Sequence, residues 1–555
     1  MPELSVWPYP EKLADCRAVS SRRLLIAAAL CAGVAIFLGP PAVAAVRVSV
    51  IQTDGSQHLA VAQAHTFGRR RPLVTTLHVN DRIHYQSVIA VGGAMTDTAA
   101  WLIWTQLTPA NRARLLHALF APSGAHLGFL RIPIGGSDFT KDGIPYTYDD
   151  GPADPTLARF SIAHDRAYIL PALKAALALN PAAFLEAVPW SPPPWMKGND
   201  RYDNIDNTGT LLPADYPVDA AYDVRFLEAY AAAGVQVDAI SPQNEPGVST
   251  AIPSLQLDQA QESQLVTQDL APALARAGLH PTIFGWDLSW GPLGAQDSLV
   301  QLAQQGRIGL AFHCYQGSPL FMTGVHRVTP AAPQIVDECT TGSFDNWDTS
   351  EVLIASLRNS ASAIGLWNLA LDPAGGPVIP PNSGCQGCTG LATVANGTFT
   401  LSGDYYELAQ LSRYLKPGAW RVASDQTVSY QLTAGYHTQV TAGLADVALE
   451  DPDGTLVLFV HSTLPGTSRF NVEWRGRFIT LTIPAGATQT LAWRADQLVI
   501  QPGGKRVPAG GLGRKSDRSL VRSCLRSTSL SPSPAAGRSA TSPESSCGHR
   551  RGRAR

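Results

Sequence analysis

The sequence lacks the features that mark several large classes of protein. Its formal net charge is only −2 over 555 residues, so no overall basic charge is available to attract nucleic acid. It has no glycine-rich nucleotide-binding loop and no cluster of metal-ligating residues at a recognised spacing. We therefore expect no nucleic-acid partner, no metal and no cofactor, and nothing in the sequence implies a protein partner.

The apolar run near the N-terminus is short for a membrane-spanning helix. It covers 24–39, follows Arg22-Arg23 and precedes the small residues Ala42-Val43-Ala44. A basic segment, a short apolar segment and an A-x-A site together form a secretory signal peptide. Residues 1–44 are thus predicted to be removed and the mature protein to be extracellular, without stable membrane insertion. A membrane anchor is the alternative interpretation of the same run.

Few cysteines remain outside the leader and the tail. The four in the body of the chain allow three pairings; they are Cys314, Cys339, Cys385 and Cys388. The last two have the spacing of half a zinc site, but no second pair of ligands follows at a zinc-finger spacing. Disulfides formed in an oxidising compartment are favoured instead.

The C-terminal tail differs in composition from the rest of the chain. Residues 504–555 contain twelve Lys and Arg against two acidic residues, and they are rich in Ser, Pro and Gly without a hydrophobic period. This composition is typical of disorder. The tail can be interpreted as a tether to nucleic acid or cell wall, or as an unselected extension. The scattered arginines favour the extension, because they form no compact basic patch.

Short apolar runs alternate with helical stretches between Val88 and Asp372. Each run is bounded by polar, Gly or Pro residues, as buried parallel strands are. The eight predicted strands are Val88–Gly93, Leu127–Ile134, Ala183–Trp190, Val237–Pro242, Thr282–Asp287, Gly309–Tyr315, Gln334–Glu338 and Ile364–Leu369. Helices are predicted between them, although 316–330 looks irregular. Eight successive βα units predict a TIM barrel.

After the barrel, apolar residues recur at every second position, as in β-strands. Strand-like runs cover 420–500, with a strong turn at Asp451-Pro452-Asp453-Gly454. Residues 46–78 have the same character. The predicted fold class is therefore α/β, a (β/α)8 TIM barrel with an attached β-sandwich formed from both chain ends. The predicted segments are a β segment over 45–82, a barrel over 83–416, a sandwich over 417–502 and a tail over 503–555.

Two glutamates follow predicted strands at the end where a TIM barrel places its active site. Glu245 follows strand four and Glu338 ends strand seven. These strands lie on facing sides of an eight-stranded barrel, so two inward carboxylates can meet across it. Retaining glycoside cleavage uses two carboxyl groups about 5 Å apart, one protonated and one ionised.

Neighbouring side chains suit the same chemistry. Asn244 can hydrogen-bond a sugar 2-hydroxyl, and Arg131 can hold one glutamate ionised by its fixed charge. Trp190 and Trp367 offer flat apolar faces to the C–H surfaces of a sugar. The sequence thus predicts a sugar-cleaving pocket.

Six motifs, in order along this frame, resemble glycoside hydrolase family 30 and most of all its glucosylceramidase branch. The motifs are Gly92–Asp97, Arg131–Ile134, Pro189–Lys197, Gln243–Pro246, Glu338-Cys339 and Trp367–Leu371. Asn-Glu-Pro alone is shared by a wider clan of barrels, whereas six motifs in order are highly specific. The resemblance covers about Arg82 to Leu498.

The resemblance implies retaining hydrolysis without metal, with Glu245 as acid/base and Glu338 as nucleophile. It also implies a set of substrate-binding positions around the sugar and the nucleophile: Asp97, Arg131, Trp190, Asn244, His313, Tyr315 and Trp367. Two of these have purely structural alternatives, since Asp97 could cap a helix and His313 could be a buried core histidine.

The sequence departs from the family near the substrate mouth. Leu366 stands where glucosylceramidases carry an Asp that contacts the sugar, and the stretch 377–389 replaces a differently built loop. Cys314 and Cys339 each follow a rim residue on neighbouring strands, so we predict one disulfide there and another between Cys385 and Cys388. The departures concern the choice of glycoside, not the mechanism.

Three functions are compatible with these observations. The first is a β-glucosidase of glucosylceramidase type, acting on a glucoside with an apolar aglycone. The second is a secreted endo-β-1,6-glucanase or another polysaccharide hydrolase with the same mechanism. The third is a catalytically silent carbohydrate-binding protein, which the presence of both glutamates disfavours.

Overall fold

The computed structural model describes residues 46–341, 347–379, 385, 387–434 and 436–494. The predicted signal peptide and the basic tail lie outside the described residues. Within the described part of the chain, no helix combines the length and apolar character needed to cross a membrane.

Eight parallel strands close into a barrel in chain order, which confirms the predicted TIM barrel. Numbered first to eighth, they are Ala90–Ala94, Phe129–Ile134, Phe184–Pro189, Ala239–Ile240, Thr282–Ser289, Gly309–His313, Gln334–Glu338 and Ala361–Leu366. Small and large side chains alternate around one layer of the interior, where Phe129 and Phe284 face Ala90, Ala239 and Ala311. The barrel is therefore a packed core whose chemistry is confined to its ends.

The eighth strand begins and ends three residues earlier than predicted. Ala363 to Leu366 pair with Ala90 to Gly93 of the first strand, and the chain then leaves the barrel, with the Trp367 amide bonded to the Cys339 carbonyl. The prediction followed the most apolar stretch of sequence, whereas the strand includes the small and polar residues before it. As a result, Trp367 and Asn368 lie on the rim and not in the barrel wall.

Helices surround the barrel between these strands. The longer ones are Pro109–Phe120, Ile169–Leu179, Tyr216–Ala232, Ser298–Gln304, Leu320–Val328, Thr349–Arg358 and Gly403–Ser412, and shorter turns are Asp97–Trp101, Leu102–Gln106, Pro194–Met196, Ile205–Asn207, Gln259–Gln264, Leu265–Leu270 and Ala271–Arg276. Leu320–Val328 falls in the segment that the sequence suggested was irregular. Met322 and Val325 bury one face of this helix, which explains why it forms.

Ten of the strands outside the barrel form one sheet, and these strands come from both ends of the chain. We call it the β-domain; its strands are Arg47–Asp54, Gln57–Val61, His65–Thr66, Thr75–Val88, Ala419–Ser424, Leu444–Glu450, Thr455–Ser462, Ser468–Trp474, Arg477–Ile483 and Thr488–Arg494. Arg47–Asp54 pairs with Thr488–Arg494, and a separate apolar core fills the interior.

Smaller strands complete the fold. Ala370–Leu371, Ala392–Ala395 and Thr398–Leu401 form a three-stranded sheet, and Tyr430–Leu432 pairs with Thr438–Val440 as a hairpin between two strands of the β-domain.

A cluster of titratable groups joins the barrel to the β-domain. His461 Nε2 lies 3.1 Å from Asp348 Oδ2, and the amide and hydroxyl of Ser350 donate to Glu407 Oε2 at 2.9 and 3.0 Å. Burial, followed by the charge of Asp348, raises the pKa of Glu351 and of Glu407 to about 7. The folded protein therefore holds protons here that the unfolded chain releases near pH 4.

From the raised pKa values in this cluster, we predict that the protein is more stable in mild acid than in mild alkali. Between about pH 4 and 7 the folded state binds more protons than the unfolded state, so stability falls as the pH rises through this window. We expect a higher melting temperature at pH 5 than at pH 8, measured by calorimetry. Glu407→Gln, which keeps the acceptor for Ser350 but does not titrate, should reduce that difference. Glu228→Gln on an exposed helix face is the control and should leave it unchanged.

Candidate active site

A cavity of about 600 Å³ opens at the carboxyl ends of the barrel strands, a volume suited to a small ligand. Its lining combines carboxyl groups with aromatic rings and consists of Asp138, Trp190, Asn244, Glu245, Val248, Ile252, Trp286, Leu288, Ser289, Trp290, Gly291, Pro292, Tyr315, Gln316, Glu338, Trp367, Cys385, Tyr436 and His437. The site lies where the sequence placed it, on the rim of the barrel.

Glu245 and Glu338 face each other in this cavity. His313 Nδ1 lies 3.3 Å from Glu245 Oε1 and 4.0 Å from Glu338 Oε1, so the two carboxyl groups flank one ring nitrogen. The side chain of Glu245 is 23% exposed and that of Glu338 is 8% exposed. Glu245 is consequently the more accessible to water, and Glu338 the more enclosed by protein.

Arg131 lies fully buried beneath the two glutamates, at the centre of a network of acceptors. Its guanidinium donates to Glu338 Oε2, to Asn244 Oδ1 at 2.8 Å and to Asp287 Oδ1 at 2.7 Å, and its Nε lies 2.9 Å from Asp337 Oδ2. Burial alone would lower the pKa of Arg131, but the surrounding carboxylates raise it well above its usual value. The side chain is thus a permanent buried cation with a carboxylate or amide on each edge.

His313 connects the same carboxylates from the other side. Its Nε2 lies 2.9 Å from Asp287 Oδ1, while Nδ1 faces Glu245 and Glu338. Burial alone would lower the pKa of His313, but Glu338, Asp287 and Glu245 raise it well above the usual value. Both ring nitrogens then carry protons and donate. His313 is fully buried and does not line the cavity, but it contacts both glutamates that do.

The buried acids in this network differ in charge. Burial alone would raise the pKa of Asp287, but Arg131 and His313 outweigh burial and lower it. Burial and then Asp287 raise the pKa of Asp337 to about 7, and burial raises that of Glu186, at 4.0 Å from Arg131, well above its usual range. Asp287 is thus the ionised partner of the two cations, and Glu186 is held neutral.

Three of these residues have the composition of a metal site. Asp287, His313 and Asp337 offer ligand atoms within 4.8 Å of one another. The guanidinium of Arg131, however, bonds to both aspartates, and a positively charged imidazole cannot ligate a metal. The donor set therefore does not fit a cation, because its positive charge is already supplied by protein.

One wall of the cavity is aromatic. The rings of Trp190 and Trp367 stack with centroids 5.1 Å apart, and Arg131 lies 4.8 Å from the centroid of Trp190. Asp138 lies beside them and is 5% exposed. The Cys385 amide donates to its Oδ2 at 3.3 Å, and among the described residues its Oδ1 has no hydrogen-bond partner. Burial, followed by the charge of Glu338, raises the pKa of Asp138 to about 7.

Asp97 lies elsewhere and is absent from the cavity lining. It opens the helix Asp97–Trp101, but the cap is Thr96, whose side chain accepts from the Ala99 amide. The Asp97 carboxylate instead accepts from the Lys141 amide at 2.6 Å and the Tyr168 hydroxyl at 2.6 Å. The expected contact of Asp97 with sugar therefore has no support in its position, because its oxygens are already engaged with the loop after the second strand.

The structure brings the other predicted site residues together. Tyr315 donates to Glu338 Oε1 at 2.8 Å, and Asn244, Trp190 and Trp367 line the cavity. Sequence reasoning missed Asp138, although its position shortly after the second strand was a usable signal. It also missed the roles of Asp287 and Asp337, and it had no signal for residues 436 and 437, which come from the hairpin beyond the barrel.

Two disulfides hold the rim, and they pair the cysteines as expected. Cys314–Cys339 joins the residues immediately after the sixth and seventh strands, with Cα atoms 5.2 Å apart. Cys385–Cys388, with Cα atoms 5.7 Å apart, packs against Trp190 and Trp367. One disulfide therefore fixes the backbone beside Glu338, and the other supports the aromatic wall.

Comparison with known proteins adds independent findings. Residues 88–415 match the model of the glycosyl hydrolase family 30 TIM-barrel domain. An endo-1,6-β-D-glucanase of Aspergillus fumigatus is 31% identical over 71% of this chain and 83% of that protein. The lysosomal acid glucosylceramidase of Mus musculus is 30% identical over 68% of this chain and 75% of that protein.

A solved endo-β1,6-glucanase superposes with a TM-score of 0.70 and 26% identity, and the match covers 81% of this chain and 99% of that one. The family domain spans all eight strands of the barrel. The chain belongs to glycoside hydrolase family 30.

Proposed function

We propose that this protein is a secreted retaining β-glycosidase in which Glu338 is the nucleophile and Glu245 the general acid/base. The observation that carries the proposal is the placement of both carboxyl groups around His313 Nδ1, at 3.3 and 4.0 Å. Their oxygens are therefore separated by less than the sum of these distances. This range includes the separation of about 5 Å between the carboxyl groups of retaining enzymes.

The reaction proceeds in two displacements at the anomeric carbon. A Glu338 oxygen attacks this carbon while the bond to the leaving oxygen breaks, and that oxygen takes the proton of Glu245. Glu245 then removes a proton from water, whose oxygen attacks the same carbon and releases Glu338. The second displacement returns the proton to Glu245 and frees the Glu338 carboxylate, so the net change is addition of water across the glycosidic bond.

The environments of the two glutamates suit these roles. Both Glu338 oxygens accept hydrogen bonds, from Arg131 and from Tyr315, as an ionised carboxylate does. Glu245 is more exposed and can exchange protons with water or with a leaving group in the cavity. This asymmetry supports a fixed anionic nucleophile and an accessible proton donor.

One wall of the cavity is the proposed site of the sugar whose anomeric carbon Glu338 attacks. It is formed by Asp138, Trp190, Trp367 and Asn244. Arg131 donates to Asn244 Oδ1, which orients the amide and leaves its nitrogen to donate to a sugar hydroxyl. The carboxyl group of Asp138, which lines the cavity, can accept from another hydroxyl. The stacked tryptophans supply an apolar face, so this half of the cavity matches both sides of a pyranose ring.

β-1,6-Glucan is the proposed substrate, and glucosylceramide is the second candidate. The relatives named as endo-1,6-β-D-glucanases include one at 31% identity matched over 83% of its length, and a solved endo-β1,6-glucanase matches over nearly its full length. The glucosylceramidase match is shorter, at 75% of that protein. This reverses the preference drawn from the sequence, and an extracellular location suits a polysaccharide substrate.

Product analysis should distinguish these substrates. The protein without its leader is offered β-1,6-glucan, glucosylceramide and an aryl β-glucoside in parallel, and products are separated by chromatography. We expect shortened glucan chains or free sugar from the glucan. Glucose from glucosylceramide, with intact glucan, would transfer the proposal to the second candidate. No product from any substrate with folded protein would favour the silent binding protein.

Azide should reveal the separate roles of the two glutamates. Glu338→Ala should lower kcat for an activated aryl glucoside by at least about 10³-fold, because no covalent intermediate can form. Azide should restore turnover in both Glu338→Ala and Glu245→Ala by filling the space left by the carboxylate. NMR should identify an α-glucosyl azide from the first variant and a β-glucosyl azide from the second. The opposite pairing would exchange the assigned roles.

Asp138 should contribute to substrate binding. Asp138→Asn keeps the shape of the side chain but alters its hydrogen bonds to sugar hydroxyls, and a bond of this kind contributes about 1.5–3 kcal/mol. We expect kcat/KM to fall by about 10- to 100-fold. Asp142→Asn, in the same loop but exposed, serves as control and should retain wild-type kinetics. Equal kinetics for both variants would remove Asp138 from the sugar site.

A further inference from the structure

The two glutamates divide the mouth of the cavity into two halves. They follow or end strands four and seven, so the residues after strands two, three and eight lie on one side and those after strands five and six on the other. The first side carries the tryptophan wall and Asp138. The second side carries Trp286, Leu288 and Pro292. Because the first side is the proposed site of the glycosyl unit that Glu338 attacks, the second side faces the leaving group.

A hairpin between two strands of the β-domain completes this second side. Its strands are Tyr430–Leu432 and Thr438–Val440, and Tyr436 and His437 at its tip line the cavity. The barrel alone therefore does not enclose the leaving-group side. Residues more than a hundred positions after strand six supply the missing part of the wall.

The tip of the hairpin is fixed to the barrel by hydrogen bonds and packing. The Gly317 amide donates to the Tyr436 carbonyl at 2.7 Å, and the Thr438 hydroxyl donates to the Gly317 carbonyl at 2.7 Å. The ring of Tyr436 stacks on Phe321 with centroids 6.3 Å apart. Tyr436 is therefore held in one position at the cavity mouth.

Gly317, which bonds to the hairpin, is itself packed tightly against Trp290 of the barrel. Its φ of 83° lies in the left-handed region, and a Cβ at this position would overlap the carbonyl oxygen of Trp290. Glycine satisfies both constraints. Trp290 also lines the cavity, so Gly317 contacts both a cavity residue of the barrel and, through its hydrogen bonds, the hairpin.

We propose that Tyr436 and His437 form part of the subsite for the sugar on the leaving-group side of the scissile bond, so that the β-domain selects the leaving group. The occupant is a β-1,6-linked glucosyl unit, an inference that rests on the proposed function. The wall alternates apolar surfaces, from Tyr436 and Trp286, with the polar groups of His437 and Ser289. A sugar offers both apolar C–H faces and hydroxyls to such a wall, whereas a lipid chain offers no hydrogen-bond partner for the polar groups of the wall.

The subsite is tested by comparing two substrates that share the glucosyl group. β-Glucosyl fluoride has a leaving group too small to reach the hairpin, whereas β-1,6-glucan fills the subsite. Tyr436→Ala and His437→Ala should each lower kcat/KM for the glucan by about tenfold and leave that for the fluoride within about twofold of wild type. The control is Gln439→Ala, on the exposed face of the same hairpin, which should change neither value.

A second measurement follows the subsite without glucan hydrolysis. The enzyme is trapped as its 2-fluoroglucosyl intermediate on Glu338, and its reactivation is measured in water and with gentiobiose as acceptor. Tyr436→Ala should weaken the acceleration by gentiobiose and leave the rate in water unchanged.

The outcomes separate the two proposals. An unchanged ratio of glucan to fluoride kcat/KM in both hairpin variants, together with unchanged acceleration by gentiobiose, would overturn the subsite. Turnover of the fluoride but not of the glucan by the wild-type protein would overturn the choice of occupant. A wild-type protein that fails to release fluoride would overturn the proposed function, and this inference with it.

Discussion

The burial of one positive charge organises the site. Arg131 lies inside the barrel with no exposed surface, and an isolated cation there would be strongly destabilised. It is stable because negatively charged and polar groups from several strands surround it. Asp287 lies on strand five, Asp337 and Glu338 lie on strand seven, and Asn244 follows strand four. The positions of these acceptors are therefore coupled through a single guanidinium, and the proposed nucleophile is one of them.

The network also contains more acid than its two cations neutralise. Glu186 and Asp337 respond with raised pKa values, while Asp287 is held ionised between Arg131 and His313. A buried carboxyl with a pKa of about 7, like that of Asp337, changes charge under mild conditions without moving. The electrostatic field at the two glutamates thus depends on neighbours that do not touch the substrate.

The sequence was sufficient to predict the barrel, because each buried strand is a short apolar run bounded by polar, Gly or Pro residues. It was also sufficient for Glu245 and Glu338, since residues at strand ends can only lie on the rim. It named Asp97 as a substrate-binding residue and overlooked Asp138. Both follow strands, but the loop after strand two directs one into the cavity and engages the other in hydrogen bonds, and no spacing rule predicts that path.

The hairpin tip could not be found for a different reason. Tyr436 and His437 belong to a segment whose sequence is ordinary for a β-hairpin, and their place in the cavity depends on how the β-domain docks on the barrel. Such information is held in packing between distant parts of the chain.

The pairing of Arg47–Asp54 with Thr488–Arg494 has a consequence for biosynthesis. This first strand of the described chain has one of its three partner strands at the far end, so it emerges long before that partner exists. The apolar residues Val48 and Val50 must remain unpaired on this side while the entire barrel is synthesised. The β-domain can therefore close only after Thr488–Arg494 has been made, later than every strand of the barrel.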